Sequence, residues 1–151
     1  MLYSAQQVDA RITEMANEIV HRYSSKDVVF VSLLNGAAPF ASKLMFAIQK
    51  CDPKFHPNAQ SMIVSRYGAS REPGKLRVVT DLPPEYRELN GRTAVVIDDL
   101  IDAGGTTDFA RQHLIGYGAS EVDLIVLVKK DKQLAIDRLV TMFAFLRLMN
   151  G

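Results

Sequence analysis

The sequence predicts an α/β fold in which helices cover both faces of a parallel sheet. Three observations point to it. The runs 28–34 (VVFVSLL), 93–97 (TAVVI) and 122–128 (VDLIVLV) are continuously apolar rather than alternating, the pattern of strands buried on both faces. Amphipathic stretches of helical spacing separate them, which calls for crossovers that pack against the sheet. With 151 residues, 48% hydrophobic and 23% charged, the chain is one domain of ordinary size and can bury a substantial core.

Residues 4–24 read as the first helix. Ser4 and Gln7 form a capping-box pattern, and Val8, Ile12, Met15, Ile19, Val20 and Tyr23 recur at helical spacing. The strand at 28–34 is broken by Asn35-Gly36-Ala37. Pro39 suits the first turn of a second helix, which carries Phe40, Leu44, Ala47 and Ile48 on one face. Phe40 and the Met45-Phe46 pair read as helix packing, with a subunit contact as the other option. Asp52-Pro53 and Pro57-Asn58 mark the following loop. Residues 61–64 and 75–80 read as two strands. Between them, 68–74 (GASREPG) is polar and bounded by glycines, the composition of a mobile lid. A loop or short helix at 81–91 leads to the strand at 93–97. A further loop, a helix over 108–117 and the strand at 122–128 follow. No repeat or linker interrupts the pattern, so residues 1–151 read as a single domain.

Charge and cysteine content remove several function classes. The balance of 18 basic and 17 acidic side chains argues against bulk nucleic-acid binding. Cys51 is the only cysteine, which excludes an intrachain disulfide and a cysteine zinc cluster; it reads as an ordinary residue at a helix end. His21, His56 and His113 stand singly, away from metal-ligand spacing, and read as structural. No apolar run approaches the ~20 residues of a membrane span. The polar Ser4, Gln6 and Gln7 do not fit a signal peptide, so the cytoplasm is the expected compartment.

The chemistry concentrates in 95–107 (VVIDDLIDAGGTT): a strand, two adjacent carboxylates, a turn, then Asp-x-Gly-Gly-Thr-Thr opening a helix. Carboxyl ends of parallel strands are where open sheets bind ligands. A Gly-Gly-Thr-Thr turn lets backbone N–H groups curl around an anion, with threonine hydroxyls as extra donors. The Gly-Lys-Ser/Thr ending of a Walker loop is absent. Asp98 and Asp99 supply hard oxygen ligands beside that anion pocket, which suits Mg²⁺ shared with a phosphorylated substrate. The plainer alternative is an acidic pair that only caps the turn.

This segment resembles the signature of the type I phosphoribosyltransferases, which bind 5-phosphoribosyl 1-diphosphate. Leu34-Asn35-Gly36-Ala37 resembles the first loop of the hypoxanthine-guanine (6-oxopurine) branch, Ser65-Arg66-Tyr67-Gly68 its Ser-Ser-Tyr-Gly lid motif, and Leu127-Val128-Lys129-Lys130 the strand end whose lysine touches the purine. The resemblance runs from about Val28 to Lys130. It implies the type I phosphoribosyltransferase fold with its mobile lid. It also implies transfer of the phosphoribosyl group to a 6-oxopurine, hypoxanthine or guanine, giving IMP or GMP in purine salvage.

Roles follow from the same resemblance. Asp98 and Asp99 would hold the ribose hydroxyls directly or through Mg²⁺. The segment Asp102, Ala103, Gly104, Gly105 and Thr106 would cradle the 5′-phosphate, with Asp102 also taking the proton from purine N7. Asn35, Gly36 and Ala37 would offer amides to diphosphate, in a turn whose peptide is often cis in this family. Ser65 and Tyr67 would close over the diphosphate. Lys129 would donate to the purine 6-oxo oxygen, and Phe145 would stand near the stacking position. Arg71 and Lys75 would either meet diphosphate or form a solvated face. A homodimer or homotetramer is implied; membrane and nucleic-acid partners are not.

The chain departs from the family at four places. Ala103 stands where Thr or Ser is usual, Gly105 where lysine is frequent, and Arg66 where the lid motif has its second serine. Beyond Lys129 only Phe143-Ala144-Phe145 resembles the family's next strand, and the later aspartate for a second Mg²⁺ has no match. The purine side is therefore expected to be incomplete, with phosphoribosyl diphosphate bound better than purine nucleotide. The alternatives are a truncated enzyme that binds phosphoribosyl diphosphate without purine turnover, a short branch completing its site from another subunit, or a regulator of the same fold that binds nucleotide or RNA without turnover.

Overall fold

The computed structural model describes residues 3–66, 74–101, 105–131, 138–141 and 146–147. Helix α1 (Ala5–Tyr23) begins where the capping box places it: the Ser4 hydroxyl accepts from the Gln7 N–H, and the Gln7 side chain accepts from the Ser4 N–H. Strand β1 (Val28–Leu34) leads through a turn to α2 (Ala38–Cys51), with Pro39 in its first turn. The chain continues through β2 (Asn58–Arg66), β3 (Leu76–Thr80), a single 3₁₀ turn (Pro84–Tyr86) and β4 (Thr93–Ile101). Helix α3 (Gly105–Gly116), β5 (Glu121–Asp131), β6 (Arg138–Thr141) and β7 (Leu146–Arg147) follow.

The sheet runs in the order β3-β2-β1-β4-β5-β6, with β7 also paired to β5. Its four central strands, β2, β1, β4 and β5, are mutually parallel. The edge strands β3, β6 and β7 pair antiparallel; β3 answers to the strand expected over 75–80, whereas the antiparallel pairing and the strands β6 and β7 were not foreseen. The period-two alternation of a strand divides the core into two layers. Val28 and Phe30 of β1, with Val95 and Ile97 of β4, face α1 and α2. Val29, Val31 and Leu33, with Ala94 and Val96, face α3. Both faces are covered, which is why these runs are continuously apolar.

Several boundaries differ from those expected. β4 runs past residue 97 because its ladder with β5 continues, Asp98 opposite Val126 and Leu100 opposite Val128, after its pairing with β1 ends at Ile97 and Ser32. α3 starts at Gly105 rather than 108, since glycine hides the first turn from a propensity reading. Phe40 is buried as expected, but Phe46 is 71% exposed and does not pack in the core. Cys51 ends α2, exposed, with its thiol donating to the Asn17 side-chain oxygen. The expected lid at 68–74 lies outside the described residues except for Gly74.

The far end of α3 is pinned. Gly118 takes φ +93°, and the Ala119 N–H returns to the Leu114 carbonyl, closing the helix. The Asp81 carboxylate accepts from the Tyr117 hydroxyl and from the Leu82 N–H, and lies 3.0 Å from His113 Nε2. His113 thus has a structural partner, as expected for an isolated histidine. Burial alone would raise the Asp81 pKa, but the hydrogen bonds from Tyr117, His113 and Leu82 outweigh it and hold the carboxyl below its ordinary range. Burial and the Asp81 contact push the Tyr117 phenol up.

A depressed carboxylate stabilises the fold above the ordinary carboxylate pKa of about 4, and that contribution is lost as pH falls through the lower folded value. Asp81→Asn should therefore lower stability at neutral pH and flatten its decline between about pH 5 and pH 2. Urea unfolding across that range checks this; parallel curves for the two proteins would remove Asp81 from the acid response.

Candidate active site

The four parallel strands end on one edge of the sheet, and their connections diverge between β1 and β4. β1 turns through α2 to β2 on one side, while β4 turns through α3 to β5 on the other. Open α/β sheets bind ligands in the crevice made by such a divergence. Asn35, Gly36 and Ala37 leave the end of β1 there, and Asp98 and Asp99 lie near the end of β4. Ser65 and Arg66 end β2, and Gly105 and Thr106 open α3. Lys129 lies in the ladder near the end of β5, its backbone opposite Ile101 and Thr141.

Asp98 and Asp99 leave alternate rows of β4, yet at the end of the strand their carboxyls remain in contact. Asp98 continues the row Ala94 and Val96, towards α3; Asp99 continues Val95 and Ile97, towards the start of α2. The Asp99 N–H donates to Asp98 Oδ1 at 2.9 Å. Both side chains are half-buried. Burial, followed by the adjoining Asp99 carboxyl, pushes the Asp98 pKa up to about 7. An acidic pair held this close and this dry is the environment that a hard divalent cation relieves. Among the described residues no cluster of three or more histidine, cysteine or carboxylate groups is suited to a metal. A cation on Asp98 and Asp99 would fill its remaining positions with water or substrate oxygens, as Mg²⁺ does beside phosphates.

The turn after β1 is built against Asp99. The Leu34–Asn35 peptide is cis without proline, in the turn where the sequence resemblance implies one. A Cβ at Gly36 would stand 3.3 Å from Asp99 Oδ1 and 3.4 Å from Oδ2, so a side chain there requires the carboxylate to give by a few tenths of an ångström. Ala37, expected to present its amide outward, is fully buried, and its N–H donates to the Leu33 carbonyl. Asn35 and Gly36 are the exposed residues of this turn.

The structure thus gathers Asn35, Gly36, Asp98, Asp99, Ser65, Gly105 and Thr106 on one sheet edge, with Lys129 further along it. Tyr67, Arg71, Asp102, Ala103, Gly104, Phe143 and Phe145 lie outside the described residues, as does the side chain of Lys129. Sequence reasoning gave Arg66 no role. Its guanidinium reaches the start of α3, where Nη2 lies 3.5 Å from the Cβ position of Gly105. The available signal was that both residues depart from the family pattern.

Residues 1–143 match the phosphoribosyl transferase domain family. Hypoxanthine-guanine phosphoribosyltransferase of Mycobacterium tuberculosis is 27% identical over 137 residues, covering 86% of this chain and 64% of that protein. The chain therefore spans under two thirds of the mycobacterial relative. The enzyme of the same name from Streptococcus thermophilus is 26% identical over 138 residues, 91% of this chain and 72% of the relative. Among solved structures, a hypoxanthine phosphoribosyltransferase from Staphylococcus aureus superposes with a TM-score of 0.74 at 22% identity, over 91% of this chain and 71% of that one. That of Trypanosoma cruzi, in complex with the product IMP, gives 0.71 at 23% identity, over 86% and 70%. At these identities the structural likeness establishes the fold.

The contact between Gly36 and Asp99 is testable without a ligand. Gly36→Val overpacks the turn and should cost about 1–3 kcal/mol in urea unfolding. Asp99→Ala opens the space, so the two changes together should cost less than their sum by more than about 0.5 kcal/mol. Strict additivity would show that the carboxylate does not press on this turn.

Proposed function

The chain belongs to the phosphoribosyl transferase family, and from that premise we propose that it transfers the 5-phosphoribosyl group of 5-phosphoribosyl 1-diphosphate to N9 of hypoxanthine or guanine. The products are IMP or GMP and diphosphate, a purine salvage reaction. The observation that carries this reading is the convergence of the Asp98–Asp99 pair, the Gly36 turn and the start of α3 at the divergence between β1 and β4. The relatives named hypoxanthine-guanine phosphoribosyltransferase and the neighbour holding IMP support the choice of purine.

In this proposal the bond from ribose C1′ to diphosphate breaks as the bond to N9 forms, through an oxocarbenium-like state. Asp98 and Asp99 orient the ribose hydroxyls. The same pair would hold Mg²⁺, which would supply Lewis-acid charge beside the phosphorylated substrate. The amides of Asp102, Ala103, Gly104, Gly105 and Thr106, with the Thr106 hydroxyl, receive the 5′-phosphate. Asn35 and Gly36 offer amides to the diphosphate, and Ala37 closes their turn. Ser65 and Tyr67 cover the leaving group against water. Asp102 accepts the purine N7 proton, Lys129 donates to the 6-oxo oxygen, and Phe145 stacks on the ring. Assembly as a homodimer or homotetramer and a cytoplasmic setting belong to the same proposal. Among the described residues no helix is long and apolar enough to cross a membrane.

A magnesium-dependent assay with phosphoribosyl diphosphate and hypoxanthine, guanine or xanthine tests the reading. Nucleotide formation with the first two supports it. Binding of phosphoribosyl diphosphate with no nucleotide formed would replace it with the binding-only alternative.

Two substitutions separate the roles. Asp99→Asn should keep the fold, with an unchanged unfolding midpoint, and weaken phosphoribosyl diphosphate binding by about tenfold to a hundredfold, the loss of one charge-assisted contact. Asp102→Ala should retain that affinity within roughly threefold yet slow transfer by about 10²–10⁴, the usual contribution of a positioned acid–base group. Titration calorimetry and single-turnover kinetics read the two effects apart, and a loss of rate below about tenfold would deny Asp102 the proton role.

A further inference from the structure

We propose that Asp81 is a positioning residue for the turn at the start of α3, acting through the aromatic row Tyr117, His113 and Phe109. This deepens the phosphoribosyl reading above, in which that turn receives an anion, and rests on it. Asp81 stands on fixed backbone: Thr80 before it pairs with Ile63 of β2, and Leu82 after it is fully buried. The Leu82 N–H donates to Asp81 Oδ1 at 2.8 Å. Arg87 Nε, 3.8 Å from Asp81 Oδ2, donates to the Leu82 carbonyl. The carboxylate is thus held from its own segment. Across the gap to α3 it accepts from the Tyr117 hydroxyl and lies 3.0 Å from His113 Nε2.

These two contacts lie four residues apart on one face of α3, so they resist both rolling and tilting of the helix. The same face carries the row back towards the crevice. The Tyr117 and His113 rings meet edge to face with centroids 4.5 Å apart, and the His113 and Phe109 rings lie parallel at 6.4 Å. Helical side chains lean towards the N-terminus, so Phe109 overlies the turn that holds Gly105 and Thr106. Burial holds the first half of α3 less than the second. Thr107 and Ala110, buried there, are small, and the large apolar residue, Leu114, lies in the far half. Arg111 and Gln112 hydrogen-bond to Asp108, contacts that stay within the helix. The direction of the first-turn N–H groups therefore depends on the carboxylate post at the far end. That post is about 18 Å away, for 12 residues at the helical rise.

Titration calorimetry with ribose 5-phosphate, and with inorganic diphosphate plus magnesium, tests the assignment at temperatures well below unfolding. Asp81→Asn should weaken ribose 5-phosphate by about threefold to tenfold and diphosphate by less than about twofold. Tyr117→Phe keeps the ring and removes only the hydroxyl. It should act in the same direction, and it carries the test if Asp81→Asn does not fold. The double variant should lose less than the product of the two single losses, because both changes break one path. Tyr86→Phe breaks the Asn58 hydrogen bond of the same segment, off this row, and should leave the affinity unchanged. Amide exchange at Gly105 and Thr106 should quicken in Asp81→Asn but not in Tyr86→Phe. An unchanged ribose 5-phosphate affinity in both Asp81→Asn and Tyr117→Phe overturns the proposal. Equal losses for both ligands, or an equal loss in Tyr86→Phe, assign Asp81 to general stability and likewise overturn it. A wild-type chain that binds neither ribose 5-phosphate nor phosphoribosyl diphosphate removes the phosphoribosyl reading together with this inference. Wild-type binding with indifferent Asp81 and Tyr117 variants removes the inference alone.

Discussion

β1 and β4 lie side by side, point the same way, and send their chains to opposite faces of the sheet. The strands beneath are fixed by burial on both sides: Val29, Phe30 and Val31 of β1 and Ala94, Val95 and Val96 of β4 have no exposure. Loops and strand ends above such a floor can carry polar and charged groups at a position the core defines. The carboxylate pair, the Gly36 turn and the start of α3 are all consequences of this one divergence.

The charges around the crevice are ordered although the chain as a whole carries only +1. Asp98 and Asp99 put negative charge at its centre. In the proposed function the start of α3 makes one anion-binding flank, and the exposed turn of Asn35 and Gly36 makes another. A sugar bearing phosphate at one end and diphosphate at the other has the complementary order, anionic ends and a hydroxylated middle. Asp98 pays for its position with a pKa near 7, which burial and Asp99 both enforce. In the proposed function a cation brought to that pair would offset their mutual repulsion and favour the anionic substrate beside it.

Much of this was legible in the chain because the signals were local. The VVFVSLL run, the Ser4–Gln7 box, Pro39 in the first turn of α2 and the Asp-Asp pair after an apolar strand each carry their meaning within a few residues. Other features depend on neighbours far along the chain. The first residues of β2, Asn58, Ala59 and Gln60, show no strand pattern and are held extended by pairing with Val29, Phe30 and Val31. The last residues of β4 are strand only because β5 continues beside them. The partners of Asp81 come from α3, and the meeting of Arg66 with Gly105 needs the β2 row to be aligned with that helix. Phe46, 71% exposed, does not pack in the core of this chain: helical spacing marks a face but does not say what covers its margin.

α3 connects the two kinds of information. Its buried row of Thr107, Ala110, Arg111 and Leu114 seats it on the sheet. Its far end is held by the Gly118 closure, by the Leu89 N–H on the Tyr117 carbonyl, and by Asp81 on His113 and Tyr117. A helix fixed along its length and at its far end has little freedom to move its first turn. In the proposed function, where the first turn of α3 receives the 5′-phosphate, a helix so held lowers the cost of ordering its donors. On that reading, pinning the C-terminal end of α3, well away from the crevice, contributes to the site by fixing where its first turn stands.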